Sequence, residues 1–196
     1  MIAFIITVII IILYFICIAP SRSSKERLKS LPSLFAPRGL HDADAPENSM
    51  SAFLSAARAG YGIEFDVRLT ADKQAVVMHD ASTARLCDCK LQIAKASASE
   101  LSSLRLPNGE EIPLLGEVIK ELNPHKTALL IELKHCRFPA QLCKAVYREI
   151  CHYSGPVLIQ AFDPILLLWF RIHHPNIPRG QLIGSSKPGA AKLLLF

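Results

Sequence analysis

Gly62 to Leu69 reads GIEFDVRL, and Thr127 to Lys134 reads TALLIELK. Both are runs of strand-forming residues bounded by turn or charge signals. Side chains on a strand alternate between faces, so Glu64 and Asp66 leave one face of the first run while Ile63, Phe65 and Val67 leave the other. Glu132 and Lys134 are likewise two apart on the second run. Working outward, further strands are expected at Leu34 to Ala36, ending at Pro37-Arg38-Gly39, at Gln74 to His79 after a turn at Ala71-Asp72-Lys73, at Pro156 to Ala161, and at Arg179 to Ile183. Helical patterns separate them. One is capped by Asn48 or Ser49, carries Met50, Phe53, Leu54 and Ala57 on one face, and ends at Gly60; others span Leu114 to Leu122, Pro139 to His152 and Pro164 to His174. This alternation indicates parallel strands joined by helical crossovers, an α/β fold.

The chemically capable residues gather where strands end. Carboxylates on an inward strand face are costly unless a cation or a basic group answers them. Three acids from two strands, Glu64, Asp66 and Glu132, suit a hard divalent ion bound through oxygen. Lys134 and Arg38 are candidates to bind a phosphate, and His79 to transfer a proton.

The first nineteen residues, MIAFIITVIIIILYFICIA, carry no charge. As a helix they would span about 28 Å, close to the hydrocarbon thickness of a bilayer. Arg22, Lys25, Arg27 and Lys29 follow, with Glu26 alone against them. A cleaved signal has its basic residues on the other side of the apolar run, so an uncleaved anchor is expected, with the following domain in the cytoplasm. The organisation expected is therefore an anchor over residues 1–19, a polar linker over 20–33, and a domain over 34–196. The net charge of +5 is mild, and without basic-aromatic interleaving no nucleic-acid partner is expected. Cys87 and Cys89 form C-x-C rather than the C-x-x-C of a typical zinc site, and the six cysteines read as reduced thiols.

The run from Ala36 to Phe53, APRGLHDADAPENSMSAF, resembles the opening signature of the glycerophosphodiester phosphodiesterase family, A-H-R-G followed by A-P-E-N-S and A-F. GIEFDVRLT at Gly62 to Thr70, VVMHD at Val76 to Asp80, IPLLGEV at Ile112 to Val118, IELK at Ile131 to Lys134 and QAFDP at Gln160 to Pro164 resemble its later motifs, in order and at the right spacing over about 150 residues. The resemblance implies a (β/α)8 TIM-type barrel that hydrolyses glycerophosphodiesters to glycerol 3-phosphate and an alcohol, the substrate expected being a glycerophosphodiester or a lysophospholipid. It implies that Glu64, Asp66 and Glu132 hold calcium or magnesium, that Arg38 contacts the phosphate, that His79 acts in acid-base catalysis, that Lys134 stabilises charge, and that Glu47 lies close by. Metal, arginine and lysine together suit a transition state that gathers charge on non-bridging oxygens.

Two departures qualify that expectation. Pro37 stands where the family has the histidine that partners His79, and proline cannot move a proton; His41, four residues on, is the candidate substitute. The second is length. Six strands are expected before Phe196, against eight in a complete barrel, so the ring is expected to be incomplete, with the Leu34 and Arg179 strands open on one side and prone to self-association. Two functions stay open: a membrane-anchored hydrolase, weakened or lost, and a catalytically degenerate relative acting as a binding or interaction module.

Overall fold

The structure, a computed structural model, describes residues 1–18, 31–184 and 191–195. After helix α1 (Ile2–Ile18), the domain runs β1 (Phe35–Pro37), α2 (Met50–Arg58), β2 (Gly62–Leu69), β3 (Ala75–Val77), α3 (Ala98–Ser102), α4 (Leu115–Leu122), β4 (Leu129–Leu133), α5 (Pro139–Ile150), β5 (Val157–Ala161), α6 (Pro164–His173), β6 (Arg179–Gly184) and β7 (Ala191–Leu195). Strands β1, β2, β4, β5 and β6 pair parallel in that order. The sheet curls as half of an α/β barrel, its outer face covered by helices.

The alternation in the sequence sets the two faces. Ile63, Phe65 and Val67 of β2, Leu129, Ile131 and Leu133 of β4, and Ile159 and Ala161 of β5 are buried in one cluster with Phe53, Val118, Leu122, Val146, Leu166 and Phe170 from the helices. Phe65 and Phe53 meet with ring centroids 5.3 Å apart. Phe65 has no exposed surface, so Phe65→Ala should cost about 3–5 kcal/mol of stability, read as a lower urea midpoint with an unchanged slope. The opposite face, inside the curl, takes Glu64, Asp66, Glu132 and Gln160.

Local chemistry fixes the element ends. Ser49 caps α2 by accepting from the Ala52 amide, Gly60 takes φ +77° after the helix, and Asp163 accepts from the Ile165 amide ahead of Pro164 at the start of α6. Ser49, not Asn48, is the cap.

Three expectations need correcting. The Gln74 to His79 strand is β3, and it pairs antiparallel with β2, Val67 opposite Val77 and Leu69 opposite Ala75. The connection from Thr70 to Gln74 is a tight turn, too short for a parallel crossover. Five parallel strands, rather than six, therefore belong to the curl among the described residues. Nor is the Arg179 strand open: β7 lies antiparallel along β6, with Leu182 opposite Leu193. Strand β1 has a single described neighbour, β2. Thirdly, α1 holds 17 residues, about 25 Å of rise against the roughly 30 Å of a hydrocarbon core. Among the described residues no helix is long and apolar enough to cross a membrane, and the expected span to Ala19 gains no support from the fold. Residue 19 of the expected anchor and residues 20–30 of the expected linker lie outside the described residues.

The segment between β3 and α4, unassigned by periodicity, folds around its own small core of Val76, Met78, Ile93, Leu101, Leu106 and Ile112. It places His79, Asp80 and Arg85 above the inner face.

Candidate active site

Glu64 and Asp66 on β2 and Glu132 on β4 meet because their strands pair in register, Glu64 with Leu130 and Asp66 with Glu132. One carboxylate oxygen from each lies within 4.8 Å of the others. Asp66 and Glu132 are buried. Lys134 Nζ bridges them, at 2.7 Å from Asp66 Oδ1 and 2.5 Å from Glu132 Oε1. Just past the end of β1, the Arg38 amide donates to Glu64 Oε2 at 3.2 Å and its Nε lies 3.5 Å from Asp66 Oδ2. Gln160 on β5 donates to Glu64 Oε1 at 3.3 Å, and Asn48 donates to Asp66 Oδ2 at 3.2 Å.

The backbone is shaped for this. Arg38 and Asn48 both take left-handed conformations, φ 56° and 58°. Such conformations cost about 1–3 kcal/mol each and persist where the surroundings enforce them. Gly39 follows at φ +84°, where a Cβ would meet Ala52 backbone and side chain at 2.8–2.9 Å.

Three carboxylates share one ammonium and part of one guanidinium, so the cluster is short of positive charge. The consequence falls on Glu64. Burial, then the charge of Asp66, pushes its carboxyl up from 4.5 to about 7 against the pull of the Arg38 amide. Asn48 Oδ1, buried beside Asp66, has no partner among the described residues. An added hard cation answers the missing charge, and these residues fit one. The sign of the pH effect follows. The folded chain keeps a proton on Glu64 between about 4.5 and 7 that the unfolded chain has lost, so metal-free stability falls as pH rises through that window. A cation must displace that proton, so its affinity should rise about tenfold per pH unit up to about 7 and level off above. Calorimetric titration with calcium or magnesium across this range checks it; affinity indifferent to pH would contradict it.

His79 stands across the mouth. Its Nδ1 lies 2.8 Å from Asp80 Oδ1, and its carbonyl accepts from Arg68 Nε and Nη2 at 2.9 and 2.6 Å. Arg85 Nε meets Asp80 Oδ2 at 2.6 Å, while its Nη1 and Nη2 take Glu47 Oε2 and Oε1 at 2.9 and 2.6 Å. Glu47 Oε1 also accepts from Arg38 Nη1 at 3.1 Å. Arg85, aided by His79, holds the Asp80 carboxyl down at about 2, and Arg85 likewise holds Glu47 below its ordinary range. Asp80 is therefore an acceptor, so Nδ1 is the donor in this contact, and in a neutral imidazole that places the lone pair on Nε2.

Glu64, Asp66, Glu132, Lys134 and Arg38 are thus brought together, with His79 tied to the same network through Asp80, Arg85, Glu47 and Arg38. His41 is not. It is exposed on the loop after β1, and no hydrogen bond or ion pair ties it to the described site residues. Pro37 pairs with Glu64 across β1 and β2, so its side chain shares the inward face. Sequence reasoning missed Asn48, read as a cap, and Asp80, Arg85 and Gln160. Gln160 carried a signal, since it alternates with buried Ile159 and Ala161 onto the inner face.

A family model described as the glycerophosphoryl diester phosphodiesterase family matches residues 38–193, which contain every residue of this cluster. The chain belongs to that family. It is 33% identical over 172 residues to a bovine protein named glycerophosphodiester phosphodiesterase 1, covering 81% of this chain and 51% of that one. To a glycerophosphodiester phosphodiesterase of Bacillus altitudinis it is 31% identical over 160 residues, 75% of this chain and 64% of that one. This member thus spans about half to two thirds of the length of these two relatives. Among solved structures, a phosphodiesterase of Oleispira antarctica in complex with the product sn-glycerol-3-phosphate superposes with TM-score 0.76 at 26% identity, covering 83% of this chain and 70% of that one. A glycerophosphodiester phosphodiesterase of Thermotoga maritima gives TM-score 0.64 at 28% identity, with 80% and 64% covered. The incomplete curl is therefore a portion of the family's barrel.

Proposed function

We propose that this chain carries a metal-dependent phosphodiesterase site that hydrolyses glycerophosphodiesters to glycerol 3-phosphate and an alcohol. The observation that carries the reading is the convergence of Glu64, Asp66 and Glu132 within 4.8 Å, flanked by Arg38 and Lys134. The glycerol 3-phosphate product held by the Oleispira relative supports the substrate class. A divalent ion, calcium or magnesium, would be held by the three carboxylates and would supply Lewis acidity at a phosphoryl oxygen. Arg38 and Lys134 would pair with the remaining phosphate charge. Hydrolysis adds a water oxygen to phosphorus and breaks the bond to the alcohol oxygen; water loses a proton and the alcohol gains one. His79, with Nε2 free, moves one of these protons. Pro37 leaves the other without a side chain at that position. The rate is accordingly low, and the competing reading, a degenerate relative that binds without turning over, is favoured by Pro37.

The assay is glycerophosphocholine with calcium or magnesium and detection of glycerol 3-phosphate; product that persists in excess chelator would sink the metal-dependent reading. His41→Ala should leave the rate unchanged, because the exposed imidazole has no hydrogen bond or ion pair to the described site residues. A fall on that substitution would mean that His41 had taken over from the missing histidine.

We also propose that the apolar N-terminal segment tethers the domain at a membrane, facing the cytoplasm. Its support is the uncharged run, the basic residues at positions 22, 25, 27 and 29, and the exposure of Ile2, Phe4 and Phe15 along α1. A reporter fused after Phe196 tests orientation; activity of a lumen-specific reporter would refute it. We assign self-association to the strands that end the described sheet, β1 and β7, each with one described neighbour.

A further inference from the structure

Arg85 has no part in the hydrolysis just described, yet three of its nitrogens are committed to two carboxylates at the mouth. Those carboxylates come from separate loops, Glu47 after β1 and Asp80 after β3. Each has a second partner of its own. Asp80 holds His79 Nδ1, and Glu47 holds Arg38 Nη1. One unbroken run of charge-assisted hydrogen bonds therefore joins His79, Asp80, Arg85, Glu47 and Arg38. Its two ends are the group read as moving a proton and the group read as meeting phosphate.

We propose that Arg85 is a positioning residue, one that holds Asp80 on His79 so that the imidazole keeps Nε2 open, and that fixes Glu47 so that Arg38 stays aimed at the site. The planar guanidinium makes both possible. Its Nη1–Nη2 edge takes Glu47 with two bonds while Nε takes Asp80, a division that a single ammonium cannot reproduce. Stability is the weaker explanation, because Arg85 is half-exposed and exposed ion pairs contribute little to folding. The inference rests on the reading of His79 and Arg38 as site residues, and it is tested without requiring turnover.

The experiment uses the full chain in detergent micelles, labelled with ¹⁵N-histidine, at mildly alkaline pH. Imidazole nitrogen spectra report which ring nitrogen carries the proton. The native chain should show His79 as the Nδ1–H tautomer. Arg85→Ala should convert it to a mixture in which Nε2–H appears, with the other histidines unchanged. Arg85→Lys should fail to restore the native form, and added guanidinium ion should restore it in the Arg85→Ala chain. Should Arg85→Ala not fold, Asp80→Ala answers the same question: it keeps the Arg85–Glu47 pair and should release His79 equally. A His79 tautomer indifferent to Arg85→Ala and Arg85→Lys, or to Asp80→Ala, overturns the proposal. Where turnover is measurable, Arg85→Lys should lower kcat by about 10–100-fold, the usual cost of losing an orienting partner, and raise KM as Arg38 loosens. The expected tautomer shift in the Arg85→Ala chain, with no glycerol 3-phosphate release by the native chain, would sink the hydrolase reading alone. A chain that hydrolyses with a tautomer indifferent to Arg85 would sink this proposal alone.

Discussion

Asp66→Asn is expected to reduce divalent-ion affinity by more than about 100-fold, the upper end of what losing a residue that merely supports a ligand costs. Asp66 is buried at the centre of the cluster, in reach of Lys134, Arg38, Asn48 and its fellow acids. Removing its charge also removes the second largest cause that lifts Glu64, whose carboxyl should fall back toward its ordinary range. The variant should therefore show a weaker pH dependence of metal-free stability over the same window, burial alone still lifting Glu64, while it loses the ion. Calorimetric titration with calcium or magnesium, beside urea unfolding at several pH values, reads both effects. Native-like affinity in the Asp66→Asn chain would mean that the three carboxylates do not form the ion site.

The second large effect belongs to Pro37→His. Pro37 ends β1 opposite Glu64, on the face that carries the acids, and Arg38 beside it already donates its amide to Glu64. A histidine there would enter the mouth across from His79 and supply the missing proton carrier. One well-placed acid-base group contributes about 10²–10⁴ in rate, and hydrolysis should rise by that order while metal affinity stays unchanged. The substitution is mild for the fold, because the residue is exposed at the end of an edge strand, where proline and histidine are both tolerated. No gain in rate, with metal still bound, would place the defect in the rest of the ring, since a barrel mouth is assembled from loops around its whole circumference.

Period-two alternation made β2 and β4 legible, and with them the shared face of Glu64, Asp66 and Glu132, because a strand fixes the direction of each side chain. The direction of β3 was not legible from apolar pattern alone; the short turn from Thr70 to Gln74 decides it, and turn length carries more information there than the run of valines. β7 is not among the expected strands because a strand that pairs antiparallel with a neighbour has no crossover helix to announce it. Asn48 and Ser49 both suit a helix cap in the sequence, since asparagine or serine before a helix is ordinarily that. The left-handed backbone of Asn48 turns its side chain to Asp66 and leaves the cap to Ser49. Arg85 left no local trace. Its partner Glu47 is 38 residues away, and only the folded loops bring the two together.

The most direct test follows glycerol 3-phosphate released from glycerophosphocholine by the Pro37→His chain, with calcium or magnesium, beside the same chain carrying Glu132→Gln as well. Release by the first that chelator abolishes, together with none by the second, is the result predicted by an ion held on Glu64, Asp66 and Glu132. Equal release by both chains, or release by the first that persists in excess chelator, would contradict it.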